Sequence, residues 1–296
     1  MKVSVIGAGL MGKGIVKNLL EAGNTVSITQ HKTRETVDAL IALGATEAAS
    51  NAELIRDGDV ILTCLPTLSA ITAVYAGEGG IRELARPGTL VIDCSTSDPT
   101  NTRKLAGEFA TNDVALVDAP LLGGPPQAWD GVMGIVAGGE RQAVERAEPL
   151  LDAISGALFI AGGPGSGHTV KLINNAVTLT NSAILYETFA VAQRMDVDQE
   201  TLYKVLDASM ASSKRLHVIA PALINDDHTK NFAVSAATKD MRLYDLLANS
   251  SGILSVLGSS SRQLHEMVNG MGYGVENVTR ITTALMKLAQ ENDLQS

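Results

Sequence analysis

Apolar and β-branched residues in the first half of the chain concentrate in short runs at 3–6, 25–29, 60–64, 89–93, 115–118 and 133–137. The stretches between them have helical periodicity. In 13–22, Ile15, Val16, Leu19 and Leu20 share one face, and Gly23-Asn24 supplies a stop. A second helix is expected over 34–43, ended by Gly44. Continuous apolar strands separated by helices predict a mostly parallel sheet covered on both faces. From Gly167 onward the pattern changes. Residues 170–194 form one long helical pattern without proline or glycine, and further helices are expected at 199–208, 238–249, 256–271 and 279–290. The cluster Gly162-Gly163-Pro164-Gly165-Ser166-Gly167 marks the junction. The expected organisation is an α/β domain over 1–162 followed by an all-α domain over 163–296.

Composition narrows the function classes. The chain has 296 residues, of which 45% are hydrophobic and 19% charged, enough for two sizeable cores. The formal net charge of −9 repels polyanions on average, so no nucleic-acid partner is expected. Cys64 and Cys94 end two apolar runs and show neither a disulfide framework nor metal-ligand spacing. A reducing, cytoplasmic setting without metal is the expectation. Gly7, Gly9 and Gly12 interrupt the first apolar run, so no secretory signal is expected. No run approaches the ~18 apolar residues of a membrane span, so no membrane partner is expected either.

The first chemistry-bearing motif is Gly7-Ala8-Gly9-Leu10-Met11-Gly12. It follows a strand and opens a helix, the context in which G-x-G-x-x-G cradles a dinucleotide. Gly7 would make the tight turn, Gly9 would admit the pyrophosphate and Gly12 would let helix and strand pack closely, with Ala8, Leu10 and Met11 completing the loop. The helix N-terminus adds free N–H groups for the anion. This predicts a Rossmann-type, doubly wound parallel sheet. An acidic residue at the end of the second strand would hold the ribose 2′-hydroxyl of NAD. The sequence there is Thr29-Gln30-His31-Lys32-Thr33-Arg34, with no carboxylate and three potential cations. Gln30, His31, Lys32 and Arg34 therefore suit a 2′-phosphate, and NADP is expected over NAD.

The second motif opens the long helix. Lys171 and Asn175 are four apart and share one face, and Asn174 joins the same polar patch. A lysine whose pKa is lowered by burial or neighbours suits proton transfer, and the asparagines would hold substrate without adding charge. Among other candidates, His168 faces the site or caps the glycine loop. Arg215, read as a loop residue, meets an acidic substrate or solvent. Trp129 walls the pocket or packs.

Together these motifs resemble the β-hydroxyacid dehydrogenase family, which includes 3-hydroxyisobutyrate dehydrogenases and tartronate semialdehyde reductases and is similar, more distantly, to 6-phosphogluconate dehydrogenase. The resemblance runs end to end. It rests on the glycine loop, Leu65-Pro66, Asp93-Cys94-Ser95-Thr96 with Pro99, Asp118-Ala119-Pro120 before Gly123-Gly124, the Lys171/Asn174/Asn175 helix and Lys239-Asp240. It implies hydride exchange between a nicotinamide and a small β-hydroxy acid or its semialdehyde or oxo partner. Lys171 would be the general acid–base, and Asn175 and Asn174 would position the substrate. Ser95 and Thr96 would lie where nicotinamide ribose and substrate meet. Leu65 and Pro66 would line the nicotinamide pocket, and Gly123 and Gly124 would offer N–H groups to the substrate's acid. Lys239 would reach the cofactor, oriented by Asp240. A homodimer or homotetramer is implied. One position departs: the family's A-P-V-S-G-G reads Ala119-Pro120-Leu121-Leu122-Gly123-Gly124, so Leu122 replaces a serine that helps bind the substrate carboxylate. That loss keeps an imine reductase-like enzyme open as an alternative; a non-catalytic NADP-binding sensor is a second, which loss of Lys171 or Asn175 would favour, and both are present.

Overall fold

The computed structural model describes residues 1–30, 34–229 and 232–293. Chain contacts divide it into two compact units, Met1–Lys171 and Leu172–Ser296.

The first unit is built, in order, from β1 (Lys2–Ile6), α1 (Gly12–Glu21), β2 (Thr25–Ile28), α2 (Arg34–Ala42), β3 (Thr46–Glu47), α3 (Asn51–Asp57), β4 (Val60–Thr63), α4 (Leu68–Ala76), α5 (Ile81–Leu84), β5 (Leu90–Asp93), α6 (Pro99–Ala110), β6 (Ala115–Asp118), β7 (Leu121–Leu122), α7 (Pro125–Trp129), β8 (Met133–Gly139), α8 (Arg141–Ala153), β9 (Ser155–Gly162) and the start of α9 (Ser166–Arg194). The strands form one sheet in the order β3-β2-β1-β4-β5-β6-β8-β7, with β9 on the other side of β8. From β3 to β6 all pairings are parallel, while β6 and β7 both pair antiparallel with β8. The doubly wound parallel core is as the apolar runs predict.

Alternation explains why the central runs are apolar at successive positions. Leu62, Ile92 and Val117 pack into one apolar cluster. Their strand neighbours Ile61, Val91 and Leu116 pack into another. Successive side chains point to opposite faces, and both faces are covered. Local chemistry fixes several helix starts. Ser50 Oγ caps α3 at Glu53 N–H, and Asp98 Oδ1 caps α6 at Thr100 N–H with Pro99 in the first turn. The short strands β3 and β7 and the partly exposed β9 carry weak patterns and were not legible in the sequence.

The second unit holds the rest of α9, then α10 (Gln199–Asp207), α11 (Lys214–Ile224), α12 (Val234–Ser250), α13 (Val256–Val268) and α14 (Arg280–Asp293). Its core joins Tyr186 and Phe189 of α9 to Ile219, Met241, Val268 and Ile281. The helix expected over 256–271 ends earlier: a π-helical turn, Asn269–Tyr273, follows α13, with Gly272 at φ 95°. Helix α11 corrects the loop reading of Arg215. Pro221 inside it obscures the helical pattern, and Arg215 Nε donates to Ser182 Oγ of α9 at 2.9 Å. No helix among the described residues is long and apolar enough to cross a membrane, and none of their His, Cys, Asp and Glu side chains group as a metal site.

Candidate active site

The glycine loop has the shape a dinucleotide needs. Gly7 sits at φ 107°, and a Cβ there would come within 2.3 Å of Cys64 O. A Cβ on Gly12 would come within 2.0 Å of Gly7 O. Both positions therefore exclude a side chain, whereas Gly9 has open space on its Cβ side. Helix α1 begins with no side-chain cap, its Lys13 and Gly14 N–H groups donating to Gly9 O and Met11 O at 2.9 and 3.1 Å, and its positive dipole end favours an anion. Ala8 and Met11 pack on the core, and Leu10 is exposed. These residues fit a pyrophosphate against the backbone. Leu65 is buried and Pro66 exposed at the end of β4.

At the other end of the expected cofactor site, His31 and Lys32 lie outside the described residues. Gln30 Oε1 accepts from Arg34 Nη1 at 3.3 Å. Arg34 is not the unpaired cation its sequence context suggests. It pairs with Asp38 at 2.6 Å and with Glu47 at 2.8 Å.

The start of α9 is held by a carboxylate from β6. Asp118, fully buried, accepts from Gly165 N–H and His168 N–H, each at 2.7 Å. An anion at a helix N-terminus is favoured by the free N–H groups and by the helix dipole. Burial lifts the carboxyl above its ordinary value, with the nearby His168 and the two N–H bonds opposing that rise. His168 is also fully buried, its ring within hydrogen-bond distance of Thr102 Oγ1 (2.8 Å) and Ser95 O (3.1 Å). It belongs to the scaffold beneath the site. Ser95 joins that scaffold: its Oγ accepts from Leu65 N–H and its own N–H donates to Asp93 Oδ1, both at 2.9 Å. Thr96, the next residue, is half-buried.

Lys171 follows one turn after this anchored start. Its ammonium donates to Leu121 O at 2.6 Å, which fixes the amine beside the Leu122-Gly123-Gly124 turn. Leu122 is half-buried there, and Gly123 has φ 135°. The Gly124 N–H, expected to face the substrate's acid, instead donates to Gln127 Oε1 at 3.0 Å. Trp129 ends α7 against α1, with Lys13 and Lys17 ammoniums 5.9 and 5.5 Å from its ring. Asn18 of α1 reaches Ala128 O at 2.9 Å, so the turn is braced on the glycine-loop helix. Trp129 thus packs on α1.

Within the helical unit, Asn174 Nδ2 donates to Asn175 Oδ1 at 3.2 Å, and Asn175 Nδ2 donates to Asp240 Oδ2 at 2.8 Å. Lys239 pairs with Asp240 at 3.1 Å. The two motifs separated by more than sixty residues therefore form one polar chain. Asp118, His168, Glu47 and Gln127 are the residues whose parts the sequence did not reveal. Each acts through a partner distant in the chain or through a loop-specific bond.

Residues 2–163 match the NAD binding domain of 6-phosphogluconate dehydrogenase, and residues 165–285 match the NAD-binding domain of NADP-dependent 3-hydroxyisobutyrate dehydrogenase. The chain belongs to the β-hydroxyacid dehydrogenase family. As a member it is an NAD(P)-dependent oxidoreductase of the hydroxyacid dehydrogenase class. It is 30% identical to the 3-sulfolactaldehyde reductase of Escherichia coli, covering 94% of each chain. It is 31% identical to the L-threonate dehydrogenase of Cupriavidus necator, covering 93% of each. A solved 3-hydroxyisobutyrate dehydrogenase from Salmonella typhimurium superposes with a TM-score of 0.86 at 25% identity, covering 96% of this chain and 99% of that one. An imine reductase from Streptomyces aurantiacus shares the fold at a TM-score of 0.62 and 20% identity, covering 97% and 99%.

Proposed function

We propose that this dehydrogenase interconverts a small β-hydroxy acid and its semialdehyde or oxo partner, with Lys171 as the general acid–base. The observation that carries this is the short bond from the Lys171 ammonium to Leu121 O, on a helix start pinned by Asp118. The nicotinamide supplies or takes the hydride at its C4 when bound. Lys171 gives a proton to the substrate oxygen during reduction and removes one during oxidation. Its ammonium also stabilises negative charge developing on that oxygen. In the same reading Asn174 and Asn175 orient the substrate, Thr96 borders it, and Lys239 serves the cofactor. The functional division falls at 162/163, with the N-terminal part binding the dinucleotide.

The test is a 340 nm assay pairing NADPH and NADH with short semialdehydes, sulfonated aldehydes, larger oxo acids and cyclic imines. Turnover of an aldehyde or oxo acid that disappears in Lys171→Ala supports the reading. Turnover of imines alone would overturn it.

Leu122 shapes the substrate class. It replaces a hydroxyl donor, and the neighbouring Gly124 N–H is already engaged by Gln127. A short 3-hydroxy acid therefore has two fewer donors for its carboxylate than the family pattern offers. Leu122→Ser is expected to lower KM for such acids by about tenfold, the scale of one bond to a charged group. An unchanged KM would remove Leu122 from specificity.

The helical unit is proposed to pair with a second copy. On α9, Ile173, Val177, Ile184 and Val191 are 48–68% exposed, and the last three recur every seven residues. Exposed apolar residues recurring along one helix face support an interaction surface there. Light scattering should give a dimer or tetramer, and Val177→Glu with Ile184→Glu should give a monomer. Cys64 and Cys94, neither of them in a disulfide, fit a reducing cytoplasm.

A further inference from the structure

Strand pairing brings a carboxylate to the place where the sequence of β2 has none. Glu47 on β3 stands in register with Ile28, the last residue of β2. Arg34 Nη1 donates to both Glu47 oxygens, at 2.8 and 2.9 Å, and to Gln30 Oε1 at 3.3 Å. Its Nε and Nη2 reach Asp38 Oδ1 at 2.7 and 2.6 Å. All three guanidinium nitrogens are engaged. One cation against two carboxylates leaves the trio at +1 − 2 = −1.

That charge changes what the region offers a dinucleotide. A 2′-phosphate meeting Arg34 would have to displace a carboxylate, exchanging one anion for another. A 2′-hydroxyl is neutral and can donate to a carboxylate without displacing anything. Asp38 lies on the same helix as Arg34, one turn on, and is a local helix-face partner. Glu47 differs, because it shares Nη1 with Gln30 at the end of β2. The geometry points to Glu47 as a residue that sets cofactor preference, withholding Arg34 from a 2′-phosphate and shifting the enzyme toward NAD. This rests on the glycine loop being the dinucleotide site, and it reverses the contribution that the sequence assigns to Arg34. Exposed ion pairs are individually weak, so the clamp biases the choice and does not forbid NADP.

The experiment is calorimetric titration of NADPH and NADH into the full-length wild type, Glu47→Gln, Arg34→Gln and the double variant. In Glu47→Gln the ratio of affinities should move toward NADPH by about tenfold, as one charge-assisted contact becomes available. Arg34→Gln alone should leave NADPH affinity within about twofold, because the guanidinium is already occupied. The double variant should return to the wild-type ratio, since the gain requires the freed guanidinium. A large loss of NADPH binding in Arg34→Gln alone, or an unchanged ratio in Glu47→Gln, overturns the inference. Failure of all four proteins to bind either dinucleotide overturns the dinucleotide reading itself and the inference with it. These side chains are on the surface, and far-ultraviolet circular dichroism of each variant checks that the fold is kept.

Discussion

Lys171→Ala is expected to lower kcat by about a thousandfold, within the range of positioned acid–base catalysis. The affinity for NADH or NADPH should stay near that of the wild type, because the glycine loop and α1 bear on the cofactor independently of this side chain. The loss should appear equally in kcat and kcat/KM, the signature of an interaction made in the transition state. Lys171→Arg separates the two roles of the amine. It keeps a cation within reach of Leu121 O and the substrate oxygen but cannot release a proton near neutrality. It should leave cofactor affinity and KM unchanged and not rescue turnover. A Lys171→Ala enzyme that retains wild-type kcat would remove the lysine from the chemistry.

Asp118→Asn should be the most damaging substitution among those that keep side-chain volume. The carboxylate accepts two short N–H bonds at the start of α9, from Gly165 and His168. An amide offers one oxygen and turns an NH₂ toward the second N–H. One buried donor is left unpaired, at a cost of about 2 kcal/mol. Denaturant unfolding should report that loss. Because Lys171 lies one turn beyond His168, kcat should fall as well, with the Leu121 O contact loosened. The pH dependence has a definite sign. Burial raises the Asp118 pKa above 3.8 in the folded protein. Its contribution is therefore full below about 3.8 and declines as the pH rises through the folded value. The gap between wild type and Asp118→Asn should widen on acidification. A gap that narrows would mean that the carboxyl is not held as described.

Much of this was legible in the chain because its signals are local. The apolar runs gave the core strands, since a strand buried on both faces needs no polar residue. The glycine loop was legible because part of its demand is local: Gly7 sits at φ 107°, and a Cβ on Gly12 would meet Gly7 O, five residues back. Lys171, Asn174 and Asn175 were legible because helical spacing converts sequence into a face. Residues whose meaning depends on a distant partner were not. The bond from Leu65 N–H to the Ser95 hydroxyl, thirty residues away, is one example. Helix α11 was hidden by Pro221, and its place is set by packing on α9 through Leu216 and Ile219. Arg34 looked like an unpaired cation because Glu47 is thirteen positions further on and meets it through the β2–β3 pairing. Periodicity and backbone sterics act within a few residues, so sequence alone fixed the fold class, the dinucleotide loop and the lysine helix. Burial, charge pairing and helix capping join residues that the chain separates, so the tertiary structure decided which polar groups are committed to the scaffold and which remain for ligands.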